Sequence, residues 1–151
     1  WGVFPKAEEV AWAEKTIADD ARITLHRGLP HARLLQLMRQ AHVFVSTTFN
    51  DPFNNTVLEA MGAQLPVISS DISSIPEIVA HDRNGWLLPV TDRPSDEIAE
   101  DIAARLLKLM DDKATYQRMC GESLAVVREK FDLRVRNKRL AAIYDAALGD
   151  R

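Results

Sequence analysis

Hydrophobic and polar residues follow two different periods along this chain, and together they predict helices interspersed with buried strands. Short apolar runs are typical of strands in a parallel sheet, where both faces of each strand are covered. These predicted strands span residues 22–26, 42–46, 66–69 and 86–89. Apolar residues spaced three and four apart predict amphipathic helices. The predicted helices span residues 7–18, 31–40, 77–80, 94–110, 113–131 and 133–148, with another beginning at 54–56.

The alternation of strands and helices predicts the class of fold. Strands separated by helices at this spacing favour βαβ crossovers, and hence an α/β fold with a Rossmann-like, doubly wound parallel sheet. A helical tail follows the last predicted strand, from about residue 94 to 151. At 151 residues the chain has the size of one ordinary domain. Because ligands of such sheets bind beyond the carboxyl ends of the strands, the loop after residues 42–46 is the expected binding place.

Net charge, apolar runs, and the cysteine and histidine residues argue against several classes of function. The formal net charge is −3, whereas a nucleic-acid-binding domain is normally strongly basic. No apolar run approaches the roughly 20 residues that cross a bilayer, and no secretory signal is recognisable, so we expect a cytoplasmic protein. The single cysteine, Cys120, excludes an internal disulfide and a thiolate metal cluster. The histidines lack acidic partners at a metal-binding spacing, so no metal is expected.

Two acids mark the stretch from residue 46 to 68 as the candidate site. Asp51 lies in a polar loop, and Glu59 lies about one turn into the helix that follows. Asn54, Asn55 or Thr56 can cap this helix, since short polar side chains accept hydrogen bonds from its first amides. A helix start presents free N–H groups and a partial positive charge, which suit a phosphate. Glu59 could then accept hydrogen bonds from hydroxyls of the same ligand, as in a nucleotide-sugar site.

The order of motifs resembles a known family. The chain is similar to the C-terminal, donor-binding half of retaining GT-B glycosyltransferases of family four, the glycosyl transferases group 1. That pattern comprises an acid, a Phe-Gly pair, Leu-Glu-Ala-Met, a Pro-Val-Ile strand, a Pro-Glu pair and an Asn-Gly turn. The corresponding segments are Asp51, Phe53-Asn54, Leu58-Glu59-Ala60-Met61, Pro66-Val67-Ile68, Pro76-Glu77 and Asn84-Gly85.

The resemblance implies a role for each matching position. It implies that the domain binds a nucleoside-diphosphate sugar, with Glu59 on the ribose hydroxyls and Asp51 as the catalytic acid beside the transferred sugar. The amides of residues 54–56 would hold the distal phosphate, and the loop at residues 29–30 would lie against the base. The implied donor-binding residues are Phe53, Asn54, Asn55, Thr56, Glu59, Leu29 and Pro30. The family retains anomeric configuration without a dedicated metal, so no cofactor is implied beyond the donor substrate.

Two positions depart from the family pattern. Asp51 stands where the family usually has Glu, so its carboxylate reaches roughly an ångström less far. Asn54 stands where the family usually has Gly. Since Asn tolerates a left-handed backbone, we expect the loop to keep its course. The Asn54 side chain is nonetheless expected to intrude where the sugar should lie.

The resemblance also implies parts that would precede Trp1. The family neutralises the donor diphosphate with an Arg and a Lys after the first strand of this domain, and it binds the acceptor on an N-terminal domain. We therefore expect an N-terminally incomplete donor domain that binds nucleotide weakly. Catalysis requires both substrates to be positioned together, so this chain is not expected to transfer sugar unaided.

Other interpretations remain open at this point. A non-catalytic module could keep the fold as a scaffold or partner-binding domain, and a nucleotide-sugar epimerase shares the architecture. Cations on the last helices form either a solvated face or a peripheral contact with an anionic membrane. These cations are Arg128, Lys130, Arg134, Arg136, Lys138 and Arg139. An incomplete sheet would also leave an edge strand through which copies could pair into a homo-oligomer.

Overall fold

The computed structural model describes residues 7–49 and 53–149. The chain divides into two compact units, residues 1–33 and 34–151. The elements in chain order are α1 (Ala7–Ile17), α2 (His31–Met38), β1 (Phe44–Ser46), α3 (Asn55–Gly62), β2 (Val67–Ser70), α4 (Ile75–Ile78), β3 (Gly85–Leu88), α5 (Ser95–Asp111), α6 (Lys113–Val126) and α7 (Leu133–Gly149). None of the helices in these described ranges is both long and apolar enough to cross a bilayer.

The first unit contains α1 and an irregular segment after it. Asp20 follows α1 and forms an ion pair with Arg22, with an N–O distance of 2.7 Å. The strand predicted over residues 22–26 is wrong, because these residues form neither strand nor helix. Ile23 and Leu25 are exposed there. A strand needs a neighbour that pairs with its backbone, and the described part of this unit contains no strand that could do so.

The second unit is built on a parallel sheet. In the described residues its strand order is β1-β2-β3, and both pairs of neighbours are parallel. Phe44 lies opposite Val67, which in turn lies opposite Gly85. Helix α3 connects β1 to β2, and α4 connects β2 to β3. Parallel neighbours require such crossovers, so the order of elements and the sheet geometry agree.

Helices cover both faces of this sheet. Successive residues of a strand point to opposite faces, so Val67 and Ile68 of the buried β2 serve two separate apolar clusters. Val67 belongs to a cluster with Val57 of α3. Ile68 belongs to a cluster with Ile98 of α5 and Met119 of α6. This arrangement confirms the predicted Rossmann-like, doubly wound α/β fold.

The predicted helical tail is present, with one irregularity. The helix predicted over residues 113–131 is α-helical only to Val126 and ends in a π-helical segment, Val127–Phe131. Asp112 caps α6, since its side chain accepts a hydrogen bond of 2.9 Å from the Thr115 amide. Helix α7 then runs to Gly149 without a buried residue.

Asn84 of the predicted Asn-Gly turn is buried and forms hydrogen bonds to the surrounding segments. This residue is fully buried, and its Oδ1 accepts a hydrogen bond of 2.8 Å from the Ala80 amide. Its Nδ2 donates to the Ile78 carbonyl at 3.2 Å. The Ser123 hydroxyl of α6 donates to the Asn84 carbonyl at 3.0 Å. The turn therefore joins α4, β3 and α6.

Candidate functional site

The start of α3 lies beyond the carboxyl end of β1, where parallel sheets bind ligands. The loop between these elements is attached to the neighbouring strand. The Ser70 hydroxyl, at the end of β2, donates a hydrogen bond of 2.7 Å to the Thr48 carbonyl. Two strand ends and one helix start are thereby brought to the same edge of the sheet.

Helix α3 separates its polar residues from its apolar ones. Val57 is fully buried in the apolar cluster that contains Val67 of β2, and Ala60 is fully buried in the cluster that contains Met38 of α2. Residues three and four apart share a helix face, so Glu59 lies on the same face as Thr56 and Asn55. Asn55 is exposed, whereas Thr56 and Glu59 are half-buried. The three polar side chains that were predicted for the donor site thus share a face turned away from the core.

Asn54 caps α3 with its own side chain. Its Oδ1 accepts a hydrogen bond of 3.2 Å from the Val57 amide, and only 5% of its surface is exposed. The backbone angles at Asn54 are φ −79° and ψ 86°, so the residue does not adopt the left-handed conformation that the Gly-to-Asn comparison suggested. The backbone at position 54 therefore needs no glycine-like freedom.

Phe53 contacts Phe131, the last residue of the π-helical segment. The rings of Phe53 and Phe131 lie 6.4 Å apart between centroids with an interplanar angle of 53°, a tilted arrangement that aromatic pairs favour. π-helical turns occur often at functional sites. Sequence reasoning placed Phe53 in the site but missed Phe131, since 78 positions separate the two residues (131 minus 53) and no local pattern links them.

Ser69 of β2 carries a buried hydroxyl that the sequence did not single out. It is fully buried in β2, and among the described residues its hydroxyl has no hydrogen-bond partner. Ser69 lies two positions after Val67 and therefore on the same face of the strand, the face covered by α3. A buried hydroxyl without a partner is unusual in a native fold and calls for an explanation.

The described geometry does not test the remaining predicted site residues. Asp51 lies outside the described residues, so its catalytic assignment stays a prediction. Leu29 and Pro30 belong to the first unit, where the Pro30 carbonyl accepts a hydrogen bond from the Arg33 amide at 2.8 Å. Their assignment to the base also stays a prediction.

Possible metal ligands and a cavity are two other features that can mark a site. Over residues 7–49 and 53–149, no three His, Cys, Asp or Glu side chains are grouped so that they could hold a metal. A cavity of about 600 Å³ lies between Val43 and the apolar residues Leu106, Leu109 and Tyr116. Val43 precedes β1, so this cavity is at the amino end of that strand, away from the start of α3.

Comparison with known proteins gives a family match over most of the chain. The sequence model of the family described as glycosyl transferases group 1 matches residues 3–112. The amylovoran biosynthesis glycosyltransferase AmsK of Erwinia amylovora is 35% identical over 89 residues, which cover 59% of this chain and 20% of AmsK. The lipopolysaccharide core biosynthesis mannosyltransferase LpcC of Rhizobium leguminosarum bv. viciae is 26% identical over 150 residues, or 95% of this chain and 40% of LpcC.

Solved structures show the same fold. The crystal structure of Anabaena HepE in complex with UDP-glucose matches with a TM-score of 0.75 at 18% identity, over 92% of this chain and 36% of HepE. The likeness at this identity is one of fold. The chain spans between a fifth and two fifths of the length of AmsK, LpcC and HepE.

Proposed function

The chain belongs to the glycosyl transferases group 1 family, and from this premise we propose that it is the donor-binding part of a retaining glycosyltransferase. The donor is a nucleoside-diphosphate sugar, bound at the start of α3, and the acceptor is a hydroxyl group. HepE, which shares the fold, was solved with UDP-glucose, and this supports a nucleotide sugar as the ligand class.

One observation carries the proposal: a capped helix start and a half-buried acid meet beyond the carboxyl end of a parallel strand. The first amides of α3 and the positive end of its dipole stabilise the phosphate, which becomes the leaving group. Glu59 is on the polar face with Thr56 and accepts hydrogen bonds from the ribose hydroxyls. Neither role requires a metal, and we propose that none is used.

The proposed chemistry places the acceptor hydroxyl on the same face of the sugar as the departing diphosphate. The bond from the anomeric carbon to the phosphate oxygen breaks, and the bond to the acceptor oxygen forms on that face, so configuration is retained. Asp51 lies beside the transferred sugar in this scheme, and Leu29 and Pro30 contact the base. The hydroxyl proton leaves with the diphosphate oxygen.

Further parts complete the enzyme in this proposal. An acceptor-binding domain supplies the second substrate, in keeping with the greater length of the relatives. We place the protein in the cytoplasm, with the cations of α7 available to an anionic membrane surface. Helix α7 carries Arg134, Arg136, Lys138 and Arg139 and has no buried residue.

The test is titration of the protein with UDP and GDP, followed by ligand-observed NMR and calorimetry. Replacing Glu59 with Gln removes the charged acceptor, so we expect nucleotide binding to weaken at least about tenfold. The matched control is Glu100→Gln, since Glu100 is an exposed acid on α5. Equal affinities for wild type and Glu59→Gln, or no binding of either nucleotide to wild type, would refute the donor site.

A second candidate is the non-catalytic module, and the cap at α3 favours it. Asn54 already occupies one amide that a phosphate would use. A module of this kind would fold like the wild type and bind neither UDP nor GDP at millimolar concentration. The same titration therefore separates the two candidates.

A further inference from the structure

We propose that Phe131 is a positioning residue of the donor site, which acts on the ligand through Phe53. This inference rests on the proposed function, because Phe53 directly precedes the residue that caps α3. The rings of Phe53 and Phe131 lie 6.4 Å apart between centroids, within the range in which aromatic pairs attract each other. Phe53 is nevertheless 44% exposed, so part of its surface stays accessible to a ligand.

The π-helical segment explains how Phe131 reaches this place. In a regular α-helix, residue 130 lies three and four positions beyond Val127 and Val126 and would share their face. That residue is Lys130, and lysine is rarely buried. A π-helical turn contains more residues, because its amides bond five residues back, so Phe131 takes this position on the face instead. The burial agrees, since Val126 is buried, Phe131 is half-buried and Lys130 is exposed.

The same segment packs on α3, whose first turn is bonded to Phe53. Val127 and Phe131 pack against the apolar cluster that contains Val57 of α3. The Asn55 amide, at the first position of α3, donates a hydrogen bond of 3.0 Å to the Phe53 carbonyl. Phe131 therefore fixes the Phe53 ring relative to the first turn of α3, where the donor is proposed to bind.

Two substitutions in the π-helical segment separate positioning from stability. Phe131→Leu keeps an apolar side chain but removes the ring that Phe53 contacts. The matched control is Val127→Ala, which removes apolar atoms packed on the same cluster and leaves the ring pair intact. Both variants should melt a few degrees below the wild type, because both remove packed apolar atoms. Only Phe131→Leu should weaken UDP binding, by about two- to tenfold, since an aromatic pair contributes about that much.

The experiment compares UDP affinity and melting temperature for these variants, for Phe131→Tyr and for a double variant. Phe131→Tyr retains the ring and should bind UDP within about twofold of the wild type. In a Phe53→Leu background, Phe131→Leu should cause no further loss of UDP affinity, because the partner ring is already absent. A loss of the same size in both backgrounds, or an equal loss in Val127→Ala, would overturn the proposal.

Glu59→Gln distinguishes failure of this inference from failure of the proposed function. UDP binding that weakens in Glu59→Gln but not in Phe131→Leu would support the nucleotide site and overturn the positioning role. UDP binding that weakens in Phe131→Leu but not in Val127→Ala, and is unchanged in Glu59→Gln, would support the positioning role while refuting the donor site as proposed. Absence of UDP binding to the wild type would overturn both.

Discussion

Replacement of Gly85 by Ala tests the register on which the sheet rests. Gly85 is the first residue of β3 and lies opposite Val67 of the central strand. A Cβ atom at this position would overlap the Val67 carbonyl oxygen and approach the Val67 carbonyl carbon to 3.0 Å and Cβ to 3.2 Å. The added methyl group would therefore meet mainly backbone atoms of Val67, a residue that is itself fully buried.

The size of the effect follows from two opposing terms. Ala lowers the entropy of the unfolded chain relative to Gly, which would stabilise the protein by about 0.4–1 kcal/mol if the methyl group fitted. It does not fit, and forcing an added methyl group into a packed core costs about 1–3 kcal/mol, occasionally more. Since the strands must separate at a backbone contact, we take the upper part of this range. The net loss is then about 2 kcal/mol, or a fall in melting temperature of roughly 4–8 °C.

Thermal unfolding followed by circular dichroism measures this loss, and Gly121→Ala is the matched control. Gly121 lies inside α6, where an added Cβ would meet nothing within 4 Å. Ala is a better helix former than Gly by about 0.8–1 kcal/mol, so this variant should melt at a higher temperature than the wild type. If Gly85→Ala melted at or above the wild-type temperature while Gly121→Ala behaved as expected, the placement of Gly85 against Val67 would be wrong.

Two further predictions concern stability. Asn84→Ala leaves the Ala80 amide and the Ile78 carbonyl without their buried partner, so the free energy of unfolding in urea should fall by about 2–4 kcal/mol; an unchanged urea midpoint would contradict this. The hydrogen bond from Arg93, 2.9 Å long, holds the pKa of Asp101 below its ordinary value of 3.8. This stabilisation is complete above the unfolded pKa and is lost as pH falls through the lower folded pKa, so Asp101→Asn should flatten the decline in melting temperature below about pH 4. A decline as steep as that of the wild type would count against the pair.

Local sequence patterns predicted a strand correctly where neighbouring strands are present to pair with it. The run at residues 66–69 is apolar and bounded by polar residues, and β2 lies there, displaced by one residue to Val67–Ser70. The run at residues 22–26 alternates polar and apolar residues, which also fits a strand, yet it forms no strand. The difference is that β2 has a neighbour on each side, whereas strand formation over 22–26 depends on pairing that a local pattern cannot specify.

The irregular end of α6 could not be predicted for a related reason. Residues 127–131 have helical propensity, and the sequence predicted an uninterrupted helix. A backbone amide in a helix bonds to the carbonyl four residues earlier in an α-helix and five residues earlier in a π-helix, and packing decides between the two. Here Val127 and Phe131 pack against the cluster that contains Val57. The contact of Phe131 with Phe53 is part of that packing. Long-range contacts of this kind leave no trace in the spacing of residues.

Position 54 shows how structure changes the meaning of a sequence difference. The family usually has Gly there, and the first explanation for a Gly is backbone freedom. With φ at −79°, Asn54 lies in a region open to every residue, so backbone freedom is not what the chain needs at this point. What Asn adds is a carboxamide, and that carboxamide is bonded to the Val57 amide at the helix start. The difference from Gly at position 54 therefore changes how α3 is capped, through the side chain, and places no demand on the backbone at that residue.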